Sequence, residues 1–492
     1  MATPDFFRAR LDSMIDLRHP LAVLATRMPW SQIEAALAPM LSHKNRDGEV
    51  IEGADLFGVT AEVVGAGVSN RGRPRLPVRL MASLLYLKHA YNESDESVVE
   101  RWAENVVWQY FSGMQYYEPR LPCDATQIGR FRRVLGEAGV EQLLKTTIEA
   151  AVGMKVIKPT EFERVIVDTT VQEKAIAHPT DSRLLEVARA KIARLAKWAG
   201  IKLKLTHARE GKLLRRKAGG YAHAKQFNRL RRVIKRQRTI LGILLREVRR
   251  KMQALPRQAQ IKLEVWLERA ERIHRQQRHD KNKLYALHAP EVECISKGKA
   301  KNPYEFGVKV SLAITHKQGL MVGAKSMPGN PYDGHSLAAQ LEQTNALLQD
   351  LGVKPTTAIV DLGYRGVDAE VAPVKTIHRG KAKRLTRQQR GWLKRRQAIE
   401  PAIGHAKLDH RMDRCWLQGA TGDALHAVLC AAGFNIRWLL RAIVRRRLKA
   451  VFLRLCALLC LLRTQGPAYR EPCTSAIPNL SVLFASRLAS AG

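Results

Sequence analysis

The sequence predicts a mixed α/β protein with a helical N-terminal region and a basic helical insertion. Two apolar stretches, residues 164–170 and 358–361, have the pattern of buried strands that end on an aspartate. Residues 181–285 have a helical pattern and are rich in arginine and lysine. Outside this insertion the predicted elements follow the order β-β-β-α-β-(α)-β-α, which indicates a mixed sheet flanked by helices.

Charge is the strongest feature of the composition. The 492 residues include 83 lysines and arginines against 45 acids, a formal net charge of +38. Such an excess predicts a polyanionic partner, usually DNA or RNA, with a membrane surface as the alternative. A hydrophobic content of 46% indicates a globular rather than a disordered chain.

Cysteine usage and hydropathy predict a cytoplasmic protein without a membrane segment. The seven cysteines form no CxxC pair and no zinc spacing, which fits a reducing compartment. The N-terminus lacks the apolar core of a signal peptide. The apolar run from Ala450 is interrupted by Arg454 and is shorter than the about 20 residues that span a bilayer.

Residues 1–150 are predicted to form a helical N-terminal DNA-binding domain. Val78–Tyr91 has helical apolar spacing, and two further helices, each continuous, are predicted at residues 96–113 and 125–152. Short helices joined by tight turns suit DNA binding, although many neutral bundles share the pattern. Arg71 and Arg73, in an Arg-Gly-Arg-Pro stretch, are candidates for an A·T minor groove; the favoured alternative is a basic loop before the helix.

The insertion, residues 181–285, is predicted to be a helical hairpin with a phosphate-binding face. Its candidate DNA contacts are Arg231, Arg232, Lys235 and Arg236. The alternative is a pair of solvated basic helices. The scarcity of compensating acids argues against that alternative, because such helices normally carry paired charges.

Strand character returns after the insertion. Residues 305–315 and 319–329 predict a hairpin, and the helix after it is expected to end at Gly352 as a C-cap. Residues 160–180 and 286–445 are therefore assigned to one sheet-containing core. Residues 446–492 are assigned to a C-terminal tail, whose last part lacks periodicity and is compatible with disorder.

Asp168 and Asp361 are the acids that end two predicted strands. Functional sites of α/β sheets form at the carboxyl ends of strands, so these carboxylates converge if the strands are neighbours. Converging carboxylates repel unless a cation lies between them, and Mg²⁺ prefers such oxygen ligands. The alternative role of either aspartate is to start a turn.

Glu400 is the candidate for a third acid. On a continuous helix, Arg396, Glu400 and Lys407 fall within roughly 40° of one another and form one stripe. The stripe is equally compatible with a ladder of surface ion pairs. Pro401 is unusual in such a ladder and is expected to kink the helix.

Other residues that compete for a site role are assigned elsewhere. Asp181 is more typical of the start of a helix, and Asp333 lies in a loop with the composition of a turn. Trp392 is a candidate for base stacking, but a lone tryptophan in a basic helix is more often a packing anchor.

Five segments of the sequence together resemble a known family. They read VDTTVQEKAIAHPTD, NPYEFGVKVSL, VDLGYRG, RRQAIEPAIGHAKLDHRMDRCWLQG and GDALHAVLCAAGFNIRWLLRAI. The combination resembles the DDE transposases of bacterial insertion sequences, most closely the insertion sequence 5 family within the insertion sequence 4 superfamily. The resemblance runs from residue 55 to residue 443.

The motifs of that family match this sequence at all three acids. Its first acid follows the first strand, as Asp168 does. Its second lies in a D-x-G-Y-x-G turn, matched by Asp361, Gly363, Tyr364 and Gly366. Its third lies in a Tyr-x2-Arg-x3-Glu-x6-Lys helix, matched by Arg396, Glu400 and Lys407, with Leu393 in the place of the tyrosine.

The resemblance implies an RNase H-like catalytic core with two Mg²⁺ ions, replaceable by Mn²⁺, on Asp168, Asp361 and Glu400. It implies in-line phosphoryl transfer, first as hydrolysis at the element ends and then as strand transfer. The implied partners are terminal inverted repeats and target DNA, bound by at least a homodimer in the bacterial nucleoid. Implied DNA contacts near the acids are Arg396, Lys407, Tyr364 and Arg365.

Two other functions stay open at this stage. An RNase H-like nuclease or resolvase would use the same acids to cut DNA without joining it. A DNA-binding protein on a degenerate catalytic scaffold is the non-enzymatic alternative, and the intact acid triad argues against it. The sequence contains no P-loop, so ATP-driven roles are not expected.

Overall fold

The computed structural model describes residues 9–41, 76–296, 303–371 and 373–464. Arg71 and Arg73 lie outside the described residues, so their predicted role stays a prediction. The N-terminal region is helical, as predicted. Its helices are α1 (Leu11–Met14), α2 (Pro20–Arg27), α3 (Trp30–Leu37), α4 (Val78–Ala90), α5 (Asp95–Glu104), α6 (Val106–Phe111) and α7 (Ala125–Gly153).

Local signals set the ends of these helices. The Ser94 hydroxyl accepts a hydrogen bond from the backbone N–H of Ser97 and so caps α5. Asn105 ends α5 and caps α6, where a single helix was expected. Gly136, with φ of 59° and ψ of −164°, breaks α7, where the sequence also predicted one continuous helix. Apolar spacing continues across both breaks and therefore conceals them.

The insertion consists of α8 (Asp181–Trp198), α9 (Ala208–His223), α10 (Phe227–Met252) and α11 (Arg257–Arg275). It has a hydrophobic core of its own. Side chains from α8, α10 and α11 meet there, with Leu185, Leu241 and Leu267 almost fully buried. Residues of the connection to the next strand, including Leu284, complete this core. The helical character of the insertion is therefore stabilised by packing as well as by propensity.

The described residues form one mixed sheet of six strands. The strands are β1 (Arg164–Glu173), β2 (Glu293–Ser296), β3 (Tyr304–Thr315), β4 (Met321–Met327), β5 (Thr357–Ile359) and β6 (Lys375–Ile377). Their order is β2-β3-β1-β5-β6, with β4 also paired to β3. The predicted hairpin is confirmed as β3 and β4, whereas the short strand β2 was not predicted.

β1 is the centre of this sheet. It pairs with β3 in antiparallel and with β5 in parallel orientation, and β5 pairs with β6 in parallel. Val165, Ile166 and Val167 of β1 are fully buried. Sequence residues from before and after the insertion therefore meet in one sheet, as the predicted element order required.

Helices cover the sheet and connect its strands. α12 (Asp333–Leu348) packs on β4, and a 3₁₀ turn ends at Gly352, which has the expected left-handed C-cap conformation with φ of 64°. The predicted helix near residues 386–410 is divided into α13 (Arg387–Lys394), a 3₁₀ turn and α14 (Ile399–Leu408). Pro401 does not kink a helix but lies in the first turn of α14, where its missing N–H has no helical partner to lose.

The last described helix is α15 (Gly419–Thr464). The predicted tail, residues 446–492, therefore begins as a helix. Of this tail, residues 465–492 lie outside the described part. The chain divides within α15 into two compact units, Met1–Ala442 and Ile443–Gly492. By length and composition, Gly419–Lys449 is a candidate membrane span, although 78% of its most apolar window is buried, which is also typical of a core helix.

Candidate active site

Asp168 lies within β1, which continues to Glu173 and does not end at the aspartate as predicted, and Asp361 lies two residues beyond the end of the parallel strand β5. The β1–β5 register pairs Ile166 with Ile359, and each aspartate follows its paired isoleucine by two residues. Both aspartates therefore lie just beyond the segment in which β1 and β5 are paired. Asp361 then starts a 3₁₀ turn and accepts a hydrogen bond from the Gly363 N–H at 2.7 Å.

Arg396 connects Asp168 to Glu400. Its Nη1 atom lies 3.4 Å from Oδ2 of Asp168, and its Nη2 atom lies 3.3 Å from Oε1 of Glu400. Glu400 is in the first turn of α14 and is 61% exposed, whereas Arg396 and Asp168 are each 18% exposed. The structure thus places the Arg396 guanidinium between Asp168 and Glu400, and Asp361 follows β5, the parallel neighbour of the strand that carries Asp168.

The three acids are not assembled at coordination distance. Within the described ranges, the group of three potential ligands whose atoms all lie within 4.8 Å of one another is His89, His426 and Cys430, and it includes none of these acids. Coordination by Asp168, Asp361 and Glu400 therefore requires side-chain rearrangement, including movement of the Arg396 guanidinium.

Asp333 is a fourth acid at this edge, and sequence reasoning had assigned it to a turn. Its Oδ1 atom lies 3.0 Å from Nζ of Lys309 and accepts a hydrogen bond from Oγ1 of Thr169 at 3.0 Å. Thr169 directly follows Asp168 on β1. The position of Asp333, in the first turn of α12, could not be related to β1 without the sheet topology.

Gly363 separates the carboxylates of Asp333 and Asp361. A Cβ atom at Gly363 would lie 2.9 Å from Oδ2 of Asp333 and 3.0 Å from Oδ1 of Asp361. The backbones of Gly334 and Gly366 also lie very close together, since a Cβ at Gly334 would lie 1.7 Å from the Gly366 carbonyl oxygen. A side chain at 363 would therefore have to displace these carboxylate oxygens.

Tyr364 lies beneath the acids and is 1% exposed. Burial raises its pKa well above the ordinary value for tyrosine, and the charges of Asp168, Asp333 and Asp361 raise it further. This burial contradicts the prediction that Tyr364 contacts DNA. Its ring instead supports the turn. Arg365, the next residue, is exposed.

Lys407 lies at the other end of α14 from Glu400. Its Nζ atom is 3.0 Å from Oε2 of Glu305 and 3.4 Å from Oε1 of Glu173, at the end of β1. The break before α14 falls between Arg396 and Glu400, which still form an ion pair, whereas Glu400 and Lys407 share one continuous helix. The charge of Lys407 is balanced by two carboxylates in this conformation.

Lys174 fixes the end of β1 to α15. Its Nζ atom lies 2.7 Å from Asp423 and 2.8 Å from Glu291, and its side chain is 4% exposed. The carboxylates of Asp423 and Glu291 raise the pKa of Lys174 against the opposing effect of burial. No local sequence signal indicates this network, because its members are more than 100 residues apart.

The predicted basic face of the insertion lies on α10. Arg231, Arg232, Lys235 and Arg236 are all exposed. Arg236 forms an ion pair with Glu210 of α9, with its Nε atom 2.7 Å from Oε1. That carboxylate raises the pKa of Arg236.

Trp392 is a packing residue in this structure. The Arg164 guanidinium lies 4.7 Å from the centre of the Trp392 ring, and the His316 ring packs against it edge-on at 6.4 Å. This arrangement supports the interpretation of Trp392 as an anchor between α13 and the sheet.

His89, His426 and Cys430 form a buried cluster away from the acids. Burial lowers the pKa of His426 to about 3, and the nearby charges of Lys88, Arg132 and Arg411 lower it further. Burial likewise raises the pKa of the Cys430 thiol well above its ordinary value. The positive charges of Lys88, Arg132 and Arg411 beside the cluster oppose a bound cation.

Comparison with known proteins gives two matches. The family model described as Transposase domain (DUF772) matches residues 48–134. An uncharacterized protein of Rhizobium meliloti, ORF8 in the nfe locus, is 40% identical over 223 residues, which are 45% of this chain and 95% of the rhizobial protein. No solved structure matches the chain.

An acidic site at the edge of a mixed sheet, in a chain of formal net charge +38, is typical of nucleic-acid-processing enzymes. The chain belongs to the same family as the rhizobial ORF8 protein, and its residues 48–134 match a transposase domain.

Proposed function

We propose that this protein is a DDE transposase of the insertion sequence 5 type, which cleaves element ends and joins them to target DNA. The observation that carries the proposal is the placement of Asp168 and Asp361 just beyond the paired segment of β1 and β5, with Arg396 linking Asp168 to Glu400. A central β1 with antiparallel β3 on one side and parallel β5 on the other supports an RNase H-like core.

The donor atoms at this edge fit divalent magnesium. They are carboxylate oxygens, the ligands that Mg²⁺ and Mn²⁺ prefer, and the cation Arg396 already lies between two of them. Asp168, Asp361 and Glu400 would hold two ions. When bound, the metals would supply charge neutralisation for in-line phosphoryl transfer and lower the pKa of the attacking hydroxyl group.

The protein residues around the acids position the DNA and the ligands. Arg396 moves from the carboxylates to a phosphate oxygen, for which its planar guanidinium is well suited. Asp333 holds Thr169 and Lys309 in place beside Asp168. Exposed Arg365 lies next to the turn of Asp361 and contacts the DNA backbone.

The DNA is held further out by the basic face of α10, through Arg231, Arg232 and Lys235. The joining of two ends requires at least two protomers in the active complex. The substrates are the terminal inverted repeats of the element and a target duplex.

The test uses the DNA that flanks the coding sequence as substrate, with Mg²⁺ or Mn²⁺. Asp168→Asn, Asp361→Asn and Glu400→Gln should each lower cleavage by at least about 100-fold, since even indirect support of a metal ligand is worth 10- to 100-fold. DNA binding, measured by fluorescence anisotropy, should change little. Robust cleavage by any of the three variants would disprove the assignment.

Asp409→Asn is the matched control. Asp409 follows α14, is 57% exposed and pairs with His405, so it resembles Glu400 in location and exposure without facing the sheet. Its cleavage rate should equal that of the native chain. A strand-transfer assay with a plasmid target separates the alternatives, because joined products identify a transposase and cleavage alone identifies a nuclease.

A further inference from the structure

The α9–α10 hairpin extends beyond the hydrophobic core of the insertion. Residues 222–229 at its tip are all exposed, and the first fully buried side chain of α10 is Val233. The turn is nevertheless well defined. The Gln226 N–H donates to the Tyr221 carbonyl at 2.8 Å, and Lys225 adopts a left-handed conformation with φ of 54°.

The charged residues of the hairpin are almost all positive. Residues 208–236 contain eleven lysines and arginines and one acid, Glu210. The carboxylate of Glu210 is itself bound by Arg236 at 2.7 Å. Isolated helices are normally stabilised by pairs of opposite charge, so an unbalanced excess of this size favours a polyanion as the partner.

Phe227 stands among these cations. It is the first residue of α10, is 58% exposed and lies between Lys225 and Arg229 in sequence. The Arg229 guanidinium lies 5.9 Å from the centre of the Tyr221 ring, on the other side of the turn. An exposed phenylalanine gains nothing from this position in the free protein, because apolar surface is favourable only when it is removed from water.

We propose that the tip of this hairpin binds DNA where a base is exposed from the helix, and that Phe227 stacks on that base. The surrounding arginines and lysines hold the flanking phosphates. Every base offers an aromatic face, so a ring within a cationic groove binds unstacked DNA with little dependence on sequence. Self-association through Phe227 is disfavoured, since it would bring two strongly cationic tips together.

This inference rests on the proposed function for its partner, DNA, but it concerns binding rather than chemistry. The experiment measures the affinity of the full chain for a 20-base-pair duplex and for the same duplex with one unpaired adenine. The adenine is replaced by 2-aminopurine in a parallel sample, because its fluorescence is quenched when an aromatic ring stacks on it.

The native chain should prefer the duplex with the unpaired base. Phe227→Ala should lower affinity for that duplex by about tenfold and for the intact duplex by less than about twofold, and it should remove the quenching. Phe227→Tyr retains an aromatic ring and should restore the preference. Ile261→Ala is the matched control, because Ile261 is similarly exposed, at 52%, on α11 of the same insertion.

The inference is overturned if Phe227→Ala binds both duplexes as the native chain does, or if the native chain binds neither. It is also overturned if Phe227→Ala changes oligomeric state and not DNA affinity. Cleavage by the variants of Asp168, Asp361 and Glu400 tests the proposed chemistry independently of DNA binding by the hairpin. If those variants stay active while the stacking results hold, the proposed chemistry is wrong and the hairpin inference stands.

Discussion

The Nη1 atom of Arg396 lies 3.4 Å from Oδ2 of Asp168, and the second nitrogen of the same guanidinium lies 3.3 Å from Glu400. A cation therefore already lies between two of the acids. Carboxylates on one edge of a sheet repel, and Arg396 relieves that repulsion. Any divalent ion that binds there must first displace the guanidinium.

Arg396→Gln should bind Mn²⁺ several-fold more tightly than the native chain while losing most of its cleavage activity. The variant has no guanidinium to displace, but it also has none to hold a phosphate. Calorimetric titration with Mn²⁺ in the absence of DNA measures the affinity. Arg390→Gln is the control, as Arg390 is exposed on α13. Weaker Mn²⁺ binding by Arg396→Gln would show that Arg396 supports the ligands and does not compete with metal.

Gly363→Ala should reduce metal-dependent cleavage at least tenfold without unfolding the protein. The added Cβ would lie about 3 Å from a carboxylate oxygen of both Asp333 and Asp361 and would force them apart. Gly404→Ala on α14 is the control, because none of the described atoms lies within 4 Å of its Cβ. Equal activity of Gly363→Ala and the native chain would show that cleavage does not depend on the position of these two carboxylates next to Gly363.

Replacement of Arg231, Arg232 and Lys235 together by glutamine should weaken DNA binding and flatten its dependence on salt. Each lost phosphate contact reduces the slope of log affinity against log salt by about 0.9. Anisotropy titrations from low to moderate salt measure the slope. Arg236→Gln should have a smaller effect, since Glu210 already binds that guanidinium. An unchanged slope for the triple variant would show that this face does not meet phosphate.

The free energy of unfolding should fall as the pH drops below 6.5, partly through His426. Burial lowers its pKa to about 3, so the unfolded chain binds a proton there that the folded chain excludes. The contribution of His426 to the free energy of unfolding is therefore greatest above pH 6.5. Below that pH it decreases by up to about 1.4 kcal/mol per pH unit. Denaturant unfolding of His426→Gln at pH 5 and pH 7.5 should show a weaker dependence. Parallel curves for both proteins would rule out His426 as the titrating group.

The sequence predicted much of the sheet because its strands have local signals. The β3–β4 hairpin follows from two β-rich runs around a short turn, and Gly352 marks the end of α12 as a C-cap. The helix breaks at Asn105 and Gly136 were missed because apolar spacing continues across them. β2 was missed because four residues at an edge carry no readable alternation.

The candidate site was predicted as a set of acids but not as an arrangement. Asp168, Asp361 and Glu400 each have a recognisable local context. Asp333 does not, because its relation to Thr169 and Gly363 exists only after α12 has packed beside the sheet. Tyr364 was misread as a DNA contact, since a motif does not reveal which of its side chains is buried.

The separate hydrophobic core of the insertion has a consequence for biosynthesis. Val165 pairs with Thr315 across 150 positions, so β1 leaves the ribosome long before its antiparallel neighbour exists. If the residues in between were unfolded, closing such a loop would be slow, and the unpaired edge of β1 would stay exposed to aggregation in the meantime. Early folding of α8–α11 shortens the effective distance between β1 and β3. The insertion is thus expected to fold before the sheet forms.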